Sequence, residues 1–595
     1  MRKEFYTGHL FDVYRYFGAH KEGENFIFRV FAPSAKGVCV FGEFSNWTEI
    51  PMYQEGQSGV YVSEPIPAKT GQLYKYCIYT ANGGRVEHCD PYGFQMELRP
   101  GDCSILTDLY SYKFKDEKWM KNRTVGFDSP VNIYEIHAGS WRKKGEGQTD
   151  WYTYIELAKL LIPYVKKNHY THIEMMPLSE HPFDGSWGYQ NTGFFAPTAR
   201  YGTPDELKKF VDECHQAGIG VIMDFVPVHF AVDYYGLKEF DGTCLYEYPN
   251  AAVGESEWGS CNFMHSRGEV RCFLQSAANY WLSEFHFDGI RMDAVSRLIY
   301  WQGDEARGVN GTTLDFLKVM NQGLKSLHPT AMLIAEDSTN FPGVTKPIDQ
   351  GGLGFDYKWD LGFMHDTLEY FQSAPEYRSR DYHKLTFSMM YAWNEHYILP
   401  FSHDENVHGK ATIVQKMYGE YEGKFPQARA LYLYMAIHPG KMLDFMGNEF
   451  AQLREFDESR EQDWMLLKYP NHDDFHRYRR ALNEAYLANE AFWSREYDPE
   501  AFRWLDCAHP ELDACAIWRD GHDGAVLAAF NFGDTELADY TLTLPRAGKL
   551  TKLLDTDWQC FGGRTEKPKR LVGKACGGEL KLTLAPFSGQ LFKLV

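Results

Sequence analysis

Acidic residues recur where short apolar runs of this chain give way to polar residues. They stand in the segments GVIMDFVPVHF, FDGIRMDAVSR, AMLIAEDST and YILPFSHDEN, and they are Asp224, Asp293, Glu336 and Asp404. A carboxylate just past a buried strand lies at the carboxyl end of that strand. Repeated strand ends of this kind converge on one face of a (β/α)8 barrel, where barrel enzymes carry out their chemistry. The pattern therefore predicts a barrel with an acidic site on that face.

The length and charge of the chain limit its domain organisation and its partners. A chain of 595 residues is too long for one hydrophobic core and should divide into several domains. Asp and Glu total 81 against 61 Lys and Arg, a net charge of -20. Because this charge repels phosphate backbones and anionic lipid surfaces, neither nucleic acid nor a membrane is an expected partner.

The apolar stretches, the first segment and the cysteines all bear on where in the cell the protein is expected. The apolar stretches fall short of the roughly 20 residues that a membrane span requires, and the first segment lacks the apolar core of a secretory signal. The 12 cysteines are scattered and contain no CxxC pair, which favours reduced thiols over disulfides or a zinc site. We therefore expect a cytoplasmic protein.

Three regions of the chain differ in their hydrophobic pattern. Residues 1–115 contain β-rich runs cut by turns, which predict an N-terminal β-sandwich. Residues 116–497 alternate strands with amphipathic helices, as βαβ units do, and include a Gly- and Tyr-rich insertion at about 230–270. Residues 498–595 return to β-rich runs. The predicted fold class is multidomain α/β, with a central (β/α)8 TIM barrel flanked by an N-terminal β-sandwich and a C-terminal all-β sandwich.

The central region contains as many candidate strands as a closed barrel requires. They are VNIYEIH, THIEMMPL, GVIMDFV, FDGIRMDA, AMLIAED, FDYKWDLG, YILPFSH and KMLDFMGNE. Between them lie helical segments such as TPDELKKFVDECHQAG. The spacing of Thr203 and Glu206 predicts a capping box at the start of that helix.

The strand-end carboxyl groups suggest chemistry at a glycosidic bond. Retaining glycosidases hold a nucleophile and an acid/base about 5 Å apart, with the pKa of the acid raised while the nucleophile stays ionised. In this scheme Asp293 attacks the anomeric carbon and is kept charged by Arg291. Glu336 protonates the departing oxygen and later deprotonates the acceptor, and Asp404 holds the sugar hydroxyls in the transition state.

Two strand-end histidines, His229 and His403, would donate hydrogen bonds to the same sugar ring. A purely structural interpretation exists for each residue taken alone. Acids at strand ends cap helices, and histidines there satisfy loop backbone. The functional interpretation depends on all of these residues meeting in one place.

Four of these segments occur together in a recognisable order. DFVPVHF, GIRMDAV, AEDS and FSHDE resemble the four sequence regions of the α-amylase superfamily, glycoside hydrolase family 13. The resemblance implies that Asp293 is the nucleophile, Glu336 the general acid/base and Asp404 the transition-state stabiliser. It also implies substrate contacts at Asp224, His229, Arg291 and His403.

A longer stretch narrows the resemblance to a subgroup of that superfamily. The segment from HPFDGSWGYQNTGFF to GVIMDFVPVHF looks like the 1,4-α-glucan branching enzymes, and FSHDENVHGK and FMGNEFAQ support the same subgroup. The N-terminal VFAPSAKGVCVFGEFSNW resembles a family-48 carbohydrate-binding module. In this subgroup the tyrosine of WGYQ stacks under the sugar at the cleavage point, which implies that role for Tyr189. The alternative is a core tyrosine packed beside Trp187.

Two positions depart from the family pattern. Many amylases place a calcium-binding asparagine before the first histidine, where this chain has Val228, which offers no side-chain oxygen. We therefore expect no metal there. Many branching enzymes have Glu after the acid/base, where this chain has Asp337. These changes bear on the shape of the subsites and leave the catalytic set intact.

The leading hypothesis is a transglycosidase that cuts an α-1,4-linked glucan, holds the chain on Asp293, and transfers it to a 6-hydroxyl in glycogen biosynthesis. Its partners would be amylose, glycogen or amylopectin, and it would need no cofactor. A hydrolase of the same architecture, either debranching or trehalose-releasing, would use the same residues. A glucan-binding scaffold without activity is a third hypothesis. The sequence does not specify the oligomeric state.

Overall fold

The centre of the molecule is a closed barrel of eight parallel strands. The structure is a computed structural model that describes residues 2–595. Each barrel strand coincides with one of the predicted segments, so the predicted (β/α)8 fold is confirmed. The strands are β1 (Asn132–Ile136), β2 (His172–Met175), β3 (Gly220–Phe225), β4 (Gly289–Met292), β5 (Met332–Ala335), β6 (Tyr357–Trp359), β7 (Tyr397–Phe401) and β8 (Lys441–Phe445).

Long helices connect most of these strands and pack outside them. Thr203 and Glu206 form the predicted capping box at the start of one helix. The connection from β5 to β6 differs, because among its described residues the only helical element is a 3-10 turn, Ile348–Gln350. The long helices are Tyr154–Lys167, Pro204–Gln216, Gly268–Glu284, Gly311–Leu327, Leu361–Gln372, Pro375–Thr386, Tyr421–Ile437 and Pro470–Ala488.

Two β-rich regions flank the barrel. The N-terminal region forms a nine-stranded antiparallel assembly, and the C-terminal region pairs a six-stranded sheet with a two-stranded one. The N-terminal strands are Gly18–Glu22, Asn25–Phe31, Gly37–Gly42, Ile50–Gln54, Val60–Val62, Ile66–Pro67, Leu73–Tyr79, Arg85–His88 and Ser104–Ile105. The C-terminal strands are Phe502–Asp506, Ala514–Asp520, Ala525–Asn531, Leu537–Thr543, Gly548–Asp555, Lys574–Cys576, Glu579–Leu584 and Ser588–Leu594.

The register of the barrel strands places charged side chains side by side in its interior. Asp224 on β3 pairs with Arg291 on β4, and Glu135 on β1 pairs with Glu174 on β2. Apart from Asp224 and Arg291, β3 and β4 are apolar and fully buried, as expected of parallel strands covered by helices. The apolar residues stabilise the strands in the barrel, and Asp224 and Arg291 lie in the carboxyl-terminal halves of β3 and β4. All 12 cysteines are free thiols, and no helix among residues 2–595 has the length and apolar character needed to cross a membrane.

A buried charge cluster anchors the start of β4. Asp288 accepts hydrogen bonds from His215 Nε2 at 2.8 Å, from Trp119 Nε1 at 2.7 Å and from the backbone N–H of Val221 at 2.7 Å. His215 Nδ1 donates to Asp116 at 2.7 Å. Burial alone would lower the pKa of His215, but the two carboxylates raise it to about 9. The imidazolium therefore links β3 and β4 to the segment before the barrel.

The variant Asp288→Asn should destabilise the barrel by about 3 kcal/mol, because it leaves a buried imidazolium with one carboxylate fewer. Since the pKa of His215 is raised to about 9, this contribution is complete below about pH 6.5 and is lost as the pH rises through 9. Differential scanning calorimetry at pH 7 should show a lower Tm. Asp315→Asn is the matched control, because that side chain pairs with Arg271 but is 64% exposed. Equal Tm values for both variants would contradict the prediction.

Candidate active site

The predicted site residues gather around one cavity at the carboxyl ends of the barrel strands. The cavity has a volume of about 570 Å³, within the range of roughly 300–1,000 Å³ typical of small-molecule sites. Asp224 and Arg291 lie directly beneath it and contact its wall residues. The wall includes six of the residues predicted from sequence: Tyr189, His229, Asp293, Glu336, His403 and Asp404.

Arg291 is the centre of the charge arrangement. Its Nη1 donates hydrogen bonds to both oxygens of Asp224, at 2.8 and 2.9 Å, and to Asp293 Oδ1 at 2.8 Å. Its Nη2 lies 3.8 Å from Glu336 Oε2. The guanidinium also lies over the ring of Trp359, 4.3 Å from its centroid. One buried cation thus fixes three carboxyl groups from β3, β4 and β5.

The two carboxyl groups assigned to catalysis differ in acidity. Burial raises the pKa of Glu336 to about 7 and that of Asp293 to about 6, while Arg291 opposes the shift in each case. The pKa of Asp293 is therefore higher than the sequence predicted, because desolvation raises it by more than Arg291 lowers it. Glu336 therefore holds its proton to higher pH than Asp293, which is the order that a retaining mechanism with Glu336 as acid/base would need.

A strained turn connects these two groups. Ala294, directly after Asp293, has φ +53°, a left-handed conformation that costs about 1–3 kcal/mol for a residue other than glycine. In this conformation its backbone N–H donates to Glu336 Oε2 at 2.8 Å. The next N–H, of Val295, donates to the backbone carbonyl of Glu336 at 2.8 Å. The turn after Asp293 therefore orients the carboxyl group of Glu336.

His403 is held as a cation in the cavity wall. Its Nδ1 donates to Glu135 Oε1, and its backbone N–H donates to Glu135 Oε2 at 2.9 Å. Burial alone would lower the pKa of His403, but Asp404 and Glu135 raise it to about 9. His403 Nε2 is 3.3 Å from the hydroxyl of Tyr189, which in turn donates to Asp224 Oδ2. Tyr189 is thus fixed from below by its hydroxyl and contributes to the cavity wall.

The remaining predicted residues lie at the cavity edge. Burial lowers the pKa of His229 to about 4, so its imidazole is neutral, and its Nδ1 hydrogen-bonds the Ser260 hydroxyl at 2.9 Å. Asp404 is 51% exposed and lies 3.4 Å from His403 Nε2. It is therefore the most accessible of the three carboxyl groups proposed for catalysis.

Two residues of this site, Glu135 and Trp258, were not predicted from the sequence. Glu135, which orients His403, is a charged residue within the buried strand β1, and that exception was a detectable signal. Trp258 comes from the irregular stretch after β3. It lines the cavity with 46% of its surface exposed, its ring packs against His229, and Arg297 lies over its face. Nothing in the local sequence separates Trp258 from other loop aromatics.

Comparisons with known proteins agree with this architecture. Three family models match the chain: carbohydrate-binding module 48 (isoamylase N-terminal domain) over residues 16–93, the alpha amylase catalytic domain over residues 147–241, and the alpha amylase C-terminal all-beta domain over residues 504–595. A 1,4-alpha-glucan branching enzyme GlgB of Fusobacterium nucleatum is 44% identical over 574 residues, which cover 95% of this chain and 93% of that protein. The chain belongs to the family of 1,4-α-glucan branching enzymes.

Another branching enzyme matches over nearly the whole chain. The GlgB of Bacillus subtilis is 39% identical and the match covers 99% of this chain and 97% of that protein. Among solved structures, a pullulanase from Anoxybacillus sp. complexed with maltotetraose has a TM-score of 0.75 at 18% identity and covers 100% of this chain and 89% of its own. A type I pullulanase from Bacillus subtilis complexed with maltose has a TM-score of 0.75 at 17% identity, covering 100% and 87%. The pullulanases share the fold, and the branching enzymes define the family.

Proposed function

We propose that this member of the branching-enzyme family acts with Asp293 as nucleophile, Glu336 as general acid/base and Asp404 as transition-state stabiliser. The observation that carries the proposal is the single buried guanidinium of Arg291, which contacts Asp224, Asp293 and Glu336 around one cavity. Carboxyl groups held in this way by a cation can keep different protonation states in a shared low-dielectric site.

In the first half-reaction, a carboxylate oxygen of Asp293 attacks the anomeric carbon of an α-1,4-linked glucose unit. The bond from that carbon to the leaving oxygen breaks, and the oxygen takes the proton of Glu336. The product is a glucan chain bound covalently to Asp293. Asp404 and the cation His403 bind sugar hydroxyls whose interactions strengthen as positive charge develops on the ring, and Tyr189 stacks beneath the ring.

In the second half-reaction, the 6-hydroxyl of another glucan gives its proton to Glu336. Its oxygen attacks the anomeric carbon, and the bond to Asp293 breaks. Two inversions leave an α-linked product, now an α-1,6 branch. The substrates are linear and branched α-glucans, with amylose, amylopectin and glycogen as the proposed partners in glycogen biosynthesis.

The decisive experiment incubates the purified full-length protein with amylose. Proton NMR follows α-1,6 linkages while new reducing ends are titrated in the same sample. Because transfer conserves the number of reducing ends, we expect α-1,6 signal to grow with few new reducing ends. Reducing ends without α-1,6 signal would show a hydrolase with the same residues, and neither signal would show a glucan-binding scaffold.

A further inference from the structure

A second cavity lies on the flank of the barrel and has a volume of about 890 Å³. We call it the flank groove. Its walls are the loop 337–347, the start of the helix Leu361–Gln372 and residues 387–397. This is the side of the barrel where the connection from β5 to β6 consists of loop and the 3-10 turn Ile348–Gln350. Each of the other connections between consecutive barrel strands contains a long helix, and here the space is open to a ligand.

The flank groove adjoins the active-site cavity on the side of the acid/base. Ser338, two residues after Glu336, lines both cavities. His365, also in the groove wall, lies with its Nε2 3.6 Å from the carboxylate of Glu405, the residue that follows Asp404. The two cavities are therefore neighbours through the segments that carry two of the three carboxyl groups.

Aromatic rings form one wall of the flank groove. Phe387 is 54% exposed, and its ring packs edge-on against Tyr391 with centroids 5.8 Å apart. Tyr391 packs in the same way against Tyr397, at 5.9 Å. Rigid rings of this kind present apolar surface to the flat apolar face of a sugar at low entropic cost.

A buried polar atom lies in the same groove. Asp360 is only 2% exposed. Its Oδ1 accepts hydrogen bonds from the backbone N–H of Phe363 at 2.8 Å and from the hydroxyl of Tyr391 at 3.3 Å. Its Oδ2 has no hydrogen-bond partner among the described residues. A buried oxygen without a partner costs free energy, and a ligand hydroxyl would remove that cost.

We propose that the flank groove binds the acceptor glucan, the chain whose 6-hydroxyl receives the transferred segment. This inference rests on the proposed function, because only a transferase needs a second chain. The acceptor hydroxyl gives its proton to Glu336 and so must approach from the side of that residue, which is the side that the groove adjoins. The aromatic rings can pack against sugar faces, and Asp360 Oδ2 can accept a hydrogen bond from a sugar hydroxyl. Both features match an α-glucan chain.

The variants Phe387→Ala and Tyr391→Ala, made singly and together, test the proposal in the full-length protein. Loss of ring contacts should weaken acceptor binding, so that water captures more of the covalent intermediate. The share of cleavage events that yield reducing ends from amylose should rise roughly tenfold in the double variant. Total cleavage, the sum of reducing ends and α-1,6 linkages, should stay within about twofold of wild type. Tyr377→Ala is the matched control, because this ring is 52% exposed and lies outside the groove.

The outcomes separate this proposal from the proposed function. If wild type itself yields no α-1,6 linkages, the proposed function fails and the variants are not needed to show it. If wild type branches and the share of reducing ends is unchanged in Phe387→Ala, the acceptor does not bind in the flank groove. If total cleavage falls while that share stays constant, the groove holds the donor instead. Phe387 is half exposed, so the single variant keeps the test independent of folding.

Discussion

Replacing Asp293 with asparagine should lower the branching rate by at least roughly 10⁴-fold, the scale seen when an enzyme loses a catalytic nucleophile. The amide cannot form the glycosyl ester, and the buried guanidinium of Arg291 keeps its two hydrogen bonds to Asp224. The fold should therefore survive while the first half-reaction stops. Amylose incubated with this variant should gain neither α-1,6 linkages nor reducing ends.

The assignment of the nucleophile can be tested directly. A glycosyl fluoride with a slow second step should label wild-type protein at Asp293, as peptide mass spectrometry would show. Asp315→Asn serves as the control for the same change of residue at an exposed position. A sugar adduct on any other side chain would reject the choice of Asp293.

Replacing Glu336 with glutamine should lower the rate on amylose by about 10²- to 10⁴-fold, because one residue donates the proton in the first half-reaction and accepts it in the second. An α-glucosyl fluoride needs no proton on its leaving group, so it should restore formation of the covalent intermediate in this variant. The same donor should not rescue Asp293→Asn. This contrast distinguishes a lost acid from a lost nucleophile or a damaged fold.

The pH dependence of the wild-type rate tests the proposed roles of the same two residues. Burial raises the pKa of Glu336 to about 7 and that of Asp293 to about 6. Below about pH 6 Asp293, the proposed nucleophile, becomes protonated, and above about pH 7 Glu336, the proposed acid, loses its proton, so kcat/KM on amylose should be greatest between these values. With the fluoride donor, Glu336→Gln should lose the alkaline limb and keep the acidic one. Near wild-type activity on amylose, or an alkaline limb that persists, would refute the role of Glu336.

The sequence predicted the barrel because its evidence was local and repeated. Each strand is a short apolar run, and Asp224, Asp293, Glu336 and Asp404 mark where four of the runs end. Their convergence followed from the geometry of parallel strands alone. The resemblance to the four sequence regions then favoured catalytic roles over helix capping for these acids, which pattern alone could not do.

The features that escaped prediction depend on distant parts of the chain. The raised pKa of Asp293 reflects burial by the whole barrel, which cannot be seen in the local sequence, where only Arg291 lies nearby. Trp258 reaches the cavity from a loop with no regular pattern, and Phe387 lies far along the chain from Ser338 although both line the flank groove. Desolvation and long-range proximity arise only in the folded molecule.

The turn at Ala294 limits how this enzyme can be redesigned. Because that one left-handed residue directly follows Asp293 and also donates to Glu336, neither carboxyl group can be repositioned by local backbone change without moving the other. Attempts to shift the working pH by remodelling the loop after β4 would alter both halves of the reaction at once. Directed evolution should instead change residues that contact only one of the two carboxyl groups. Residues of the loop after β5 that pack around Glu336 are examples.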